Sequence, residues 1–214
     1  MIRIPTYAPQ TANAAGPCTM LILVLGLVLF LGVHSVRIFA EGWRSRTVSS
    51  MGPLTWKAVY SVISVIGFVM IIWGYGMARQ QPVMVWSPPM GMKHANSLFT
   101  LLAFIFLAAA YIPRNHLKAK MHHPMVLGVK LWAFGHLLAT GKLADLILFG
   151  SFLLWAVLNF RAARQRDRAQ GTVYPPGTLT ATVLTILVGA VAWAAFAFWL
   201  HAALIGIAPM GRTL

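Results

Sequence analysis

A chain of 214 residues that is 59% hydrophobic and only 9% charged, with a mean hydropathy of +0.75, carries more apolar surface than a soluble core can absorb and reads as an integral membrane protein. Seventeen Lys and Arg against Glu41, Asp145 and Asp167 give a net charge of +14. The cations fall in short connections between apolar runs, where lipid headgroups and topology account for them without a nucleic-acid partner. Cys18 is the only cysteine, which excludes a disulfide framework or a cysteine metal cluster within one chain.

A hydrocarbon core of about 30 Å takes about 20 helical residues, and runs of that kind predict an all-α polytopic bundle of about six spans. Residues 1–19, rich in Ala, Thr and Pro, match no helical period and read as a loose tail. The first span, Met20–Ala40, runs into Arg37 without a small-residue cleavage site and is expected to be retained. The second is Leu54–Tyr75, bracketed by Trp56, Tyr60, Trp73 and Tyr75 as an aromatic belt would bracket it. The long connection Gly76–Lys93 carries Trp86-Ser87-Pro88-Pro89 and is a candidate cap for the bundle or a plain rigid link. His94–Ile112 follows, then Pro124–Thr140 and Leu143–Phe160, separated only by Gly141-Lys142 as a tight antiparallel hairpin. The last span is Thr178–Ala208, long enough to tilt, so that residues 20–208 form one transmembrane domain and residues 209–214 a short tail.

Eleven cations fall on one side of these spans: Arg37, Arg44, Arg46, Lys57, Arg114, Lys118, Lys120, Arg161, Arg164, Arg166 and Arg168. Five fall on the other: Arg3, Arg79, Lys93, Lys142 and Arg212. The excess marks the cytoplasmic side and directs both termini of a multi-pass membrane protein away from it.

Two histidines stand inside apolar runs, where an imidazole needs a hydrogen bond or a metal and is a functional-site candidate by default. His34 shares a helix face with Phe30, Arg37 and Glu41, and Arg37 can pair with Glu41 four residues on. The fourth span presents Trp132, Ala133 and His136 on one face and His123 with Lys130 on another. Each has a plainer reading: a hydrogen bond to a neighbouring helix for His34, a side chain snorkelling to the interface for Lys130.

A ligand shared by two buried histidines, without thiols or carboxylates, is narrowed by its donors. Zinc and di-iron sites usually recruit Cys, Asp, Glu or a third His. Haem needs one or two imidazoles, apolar walls and cations for its propionates, for which Arg37, Arg114 and Lys130 are candidates. No Cys-x-x-Cys-His run occurs, so haem would be held non-covalently. Helix depth separates His34 and His136 by about 9 Å in height, and His123 lies near enough in depth to His34 to rival His136 as second axial ligand. The Met121, His122, His123 and His116 group, His94, His201 and the loop methionines read more simply as interfacial or loop residues.

The stretches FLGVHSVR (Phe30–Arg37), WSPP (Trp86–Pro89), AAAYIP (Ala108–Pro113) and HHPMVLGVKLWAFGHLLATG (His122–Gly141), followed by LILFGSFLLWA, resemble the NnrU family over roughly Met20 to Arg168. That family is linked to nitric oxide metabolism in denitrifying bacteria and is related to 15-cis-zeta-carotene isomerase, an integral membrane enzyme using haem b. The resemblance implies haem b ligated by His34 and His136, with isomerase-like action on a lipid-soluble substrate or redox and nitric oxide chemistry. Ala133 stands one turn before His136 where a thiolate would be needed to replace an imidazole. HPMVLG also resembles a stretch of small S-adenosylmethionine-dependent membrane methyltransferases, with Val126 where they have Tyr. A transporter or non-catalytic accessory protein is the third class.

Overall fold

A computed structural model describes residues 15–210, and side chains from Met20. The helices are α1 (Ala15–Phe39), α2 (Glu41–Met51), α3 (Pro53–Ala78), α4 (Met92–Tyr111), α5 (His116–Met121), α6 (Pro124–Ala139), α7 (Leu143–Gln170), α8 (Leu179–Ala195) and α9 (His201–Ile205), with a π-helical turn over Phe196–Leu200 joining the last two. Five are long and apolar enough to cross a membrane: α1, α3, α4, α7 and the α8–α9 unit. The sixth expected span, α6, is apolar but has 16 residues, about 24 Å at about 1.5 Å per residue. It falls short of a hydrocarbon core of about 30 Å, and the connections at its ends lie correspondingly close to the apolar layer.

The helices pack in the order α3, α1, α7, α6, α4, α8, each principally against its neighbours in that row. Small residues set the closest approaches. A Cβ on Gly74 would sit 2.4 Å from the Leu23 amide nitrogen, and one on Gly189 2.5 Å from the Ile105 Cα, so backbones meet where bulk is absent. Leu23, Leu27, Ile71, Ala133, Leu148 and Phe149 form the buried core between α1, α3, α6 and α7. The outer faces are apolar and exposed, as Val62, Val65, Val69 and Ile72 of α3 are, which suits lipid as solvent.

Two connections expected as loops hold helices. Pro53 at the start of α3 follows Gly52, whose φ of +84° reverses the chain and lets α2 form as a separate helix. It carries Glu41, paired with Arg37 at 3.3 Å and Arg44 at 3.4 Å, and sets Trp43 edge-on to Trp56 at 5.8 Å. α5 is capped by Asn115, whose side chain accepts from the Lys118 amide at 2.7 Å. Residues 15–19 are already helical, so α1 starts five residues before the expected Met20, while the rest of the expected N-terminal tail, residues 1–14, lies outside the described residues, as do residues 211–214.

The connection after α3 does close one end of the bundle. The Val85 amide donates to the Gly141 carbonyl at 2.8 Å and the Leu143 amide to the Val83 carbonyl at 2.9 Å, so the loop holding Trp86 is stitched onto the α6–α7 corner. A Cβ on Gly141 would overlap the Trp86 carbonyl oxygen at 1.7 Å, which explains the glycine there. The opposite, basic end is tied by the Thr178 amide to the Arg114 carbonyl at 2.7 Å and by Arg166 to the Arg37 carbonyl at 3.0 Å.

Candidate functional site

α1 and α6 both deliver a histidine onto α7. The His34 ring lies 5.1 Å from Tyr60 and 6.2 Å from Trp155, while the His136 ring stacks on Phe149 at 4.4 Å. Trp155 and Phe149 are six residues apart on one helix, a height difference of about 9 Å. Between them Phe152 touches Phe30 at 5.9 Å and Trp132 at 5.5 Å. A continuous aromatic layer thus joins the two imidazoles, contributed by α1, α6 and α7.

Each imidazole is oriented by its own helix. His34 Nδ1 lies 2.6 Å from the Phe30 carbonyl oxygen and His136 Nδ1 2.8 Å from that of Trp132, each four residues back. With Nδ1–H donated to a carbonyl, Nε2 carries the lone pair, the tautomer in which histidine binds a metal. The Trp155 indole N–H is buried without a partner among the described residues, an unmet donor beside His34 of the kind a ligand would satisfy. Each imidazole thus has the donor chemistry to hold a haem iron, while Phe30, Trp132 and Phe152 fill the layer between the two rings. No group of three or more His, Cys, Asp or Glu able to hold a metal ion occurs among the described residues.

The other histidine of α6 sits in a different environment. His123 Nε2 lies 2.8 Å from Asp167 Oδ2 at the basic end, and His122 Nδ1 lies 3.6 Å from the same oxygen and also contacts Arg164. The Tyr174 hydroxyl donates to that oxygen at 3.1 Å, with its ring stacked on His122 at 4.2 Å. Burial, and then the bond to Asp167 and its charge, push the Tyr174 phenol above its ordinary value, so it remains a neutral donor. Of the cations singled out in the sequence, Lys130 sets Nζ 4.8 Å from the Phe160 ring centroid, and Arg37 is exposed and paired with Glu41. The structure brings His34 and His136 to one layer and places His123, Lys130 and Arg37 outside it, on its basic side.

Asp145 is a site residue that the sequence did not single out. It is buried in the first turn of α7, accepts from the Tyr75 hydroxyl at 2.6 Å and is also bonded by Thr140. The signal available was an acid four residues past a glycine turn in an apolar run. Phe149, Phe152 and Trp155 at three-residue spacing were likewise legible as one face of α7.

A family model described as "NnrU protein" matches residues 22–209, and the chain belongs to the NnrU family. No curated protein and no solved structure matches it.

Proposed function

We propose that this NnrU family member is a haem b-binding protein of a bacterial inner membrane, its basic end facing the cytoplasm. It serves redox or nitric oxide chemistry linked to denitrification, or isomerase-like chemistry on a lipid-soluble substrate. One observation carries the reading: His34 and His136 both spend Nδ1 on a backbone carbonyl, keep Nε2 free and flank one aromatic layer. His123, whose Nε2 already meets Asp167, is the weaker second ligand.

His34 and His136 would hold the iron through Nε2, with Arg37 and Lys130 the cations on the basic side for the propionates. When bound, haem supplies an iron able to change oxidation state or to take a small neutral ligand. The chain's own work is to orient the imidazoles through the two carbonyls, to exclude water with Phe149, Phe152 and Trp132, and to offer the Trp155 N–H to a polar atom beside His34.

Absorption spectra of detergent-purified protein, oxidised and reduced, test this directly. A Soret band is expected that either His34→Ala or His136→Ala removes and His123→Ala leaves in place. Protein that takes up no haem when expressed with haem in excess would overturn the reading.

A further inference from the structure

At the basic end, Arg114 adopts a φ of +55°, a left-handed backbone that is strained for a non-glycine residue. The surroundings hold it there. Its carbonyl accepts from the Thr178 amide at 2.7 Å, and the next residue, Asn115, is fully buried with its amide nitrogen donating to the Ala109 and Ile112 carbonyls at 2.9 and 2.6 Å. The bend opens a cavity of about 110 Å³, walled by Pro113, Arg114, Lys118, Tyr174 and Pro175. Its level is that of Tyr111, exposed at the end of α4, where tyrosines mark the headgroup region.

The two cations at this cavity have no ion-pair partner among the described residues, although its wall residue Tyr174 also bonds Asp167 at 3.1 Å. Of the chain's three acids, Asp145 is buried with Tyr75 and Thr140 near the other end. Glu41 is taken by Arg37 and Arg44, and Asp167 by His122 and His123. Neither Arg114 nor Lys118 has a carboxylate within ion-pair distance among the described residues, and Lys118 Nζ donates only to the Ala110 carbonyl at 2.9 Å. Arg114 and Lys118 thus border a cavity whose own wall is almost wholly apolar, an arrangement that suits a lipid with its glycerol end in the cavity and its phosphate at the cations on the rim.

We infer that the cavity between the α4–α5 turn and the Tyr174–Pro175 segment binds a phosphate anion through Arg114 and Lys118, with an anionic phospholipid as its source. Tyr174 and the prolines would cover the glycerol end, and the cations would hold the phosphate.

Purified full-length protein is titrated with phosphatidylglycerol, phosphatidylcholine and inorganic phosphate in separate arms, and bound species are counted by native mass spectrometry. The test variant is Arg114→Gly with Lys118→Gln, glycine being at ease at the positive φ; the charge-matched control is Lys120→Gln with Arg168→Gln at the same end. Phosphatidylglycerol should bind in preference to phosphatidylcholine, and its affinity should fall roughly tenfold or more in the test variant while staying within about twofold in the control. Saturable inorganic phosphate binding lost only in the test variant supports the phosphate site and identifies free phosphate as a second source. Equal losses in test and control, no preference over phosphatidylcholine with no phosphate binding, or undiminished binding in the test variant each overturn the site. Lys118→Gln alone, checked by the same titration, keeps the test decisive should the double variant misfold.

Discussion

The same side chain is put to opposite uses at two levels of this bundle. At the basic end, His122 and His123 gather on Asp167, and His123 spends Nε2 on the carboxylate. In the aromatic layer His34 and His136 meet no carboxylate at hydrogen-bond distance among the described residues; each spends Nδ1 on the helix turn behind it and keeps Nε2. A histidine's availability is thus decided by which acceptor is nearest. Inside lipid an α-helix always offers a carbonyl four residues back, whereas an acid is present only where the sequence supplies one.

The largest expected effect separates the two levels. His34→Ala or His136→Ala abolishes bound haem in purified protein, read as the Soret absorbance per chain, while Asp167→Asn leaves it unchanged. Equal losses from all three would erase the distinction drawn between the levels. A less drastic perturbation acts on the frame: Gly74→Leu forces a side chain into the Leu23 backbone, separating α1 from α3 and lowering stability by about 1–3 kcal/mol. Thermal unfolding in detergent, with haem content measured alongside, checks it.

Asp145→Ala leaves the Tyr75 and Thr140 hydroxyls without their acceptor and should cost about 1.5–3 kcal/mol. Asp145→Asn keeps an oxygen to accept one of these bonds and should restore part of that stability, as thermal unfolding in detergent would show. The smallest effect is expected of Asp167→Asn on unfolding, about 1 kcal/mol or less, because its partners remain partly solvated.

Much of the frame is legible in the chain. Apolar runs long enough to span, interrupted by clustered cations, lead to the helical bundle, and the Gly141-Lys142 break leads to the α6–α7 hairpin now observed. The Arg37–Glu41 pair follows from four-residue spacing alone. The shortness of α6 was legible too: the expected Pro124–Thr140 exceeds the observed Pro124–Ala139 by one residue, the helix stopping under the Trp86 loop. Not legible were α2 and α5, whose polar sequences carry no apolar period to announce a helix. The aromatic layer was half legible: each ring's face could be read along its own helix, but not which helix it would meet.

Composition and spacing by themselves determined a polytopic helical protein with two imidazoles in apolar surroundings and an excess of cations at one end, because hydrophobic length and charge placement are local properties of the chain. Only the tertiary structure decided which histidines keep a free nitrogen. It placed Asp167 against His123, and Phe149 and Trp155 beside His136 and His34, through contacts between helices distant in sequence that depend on packing rather than on period.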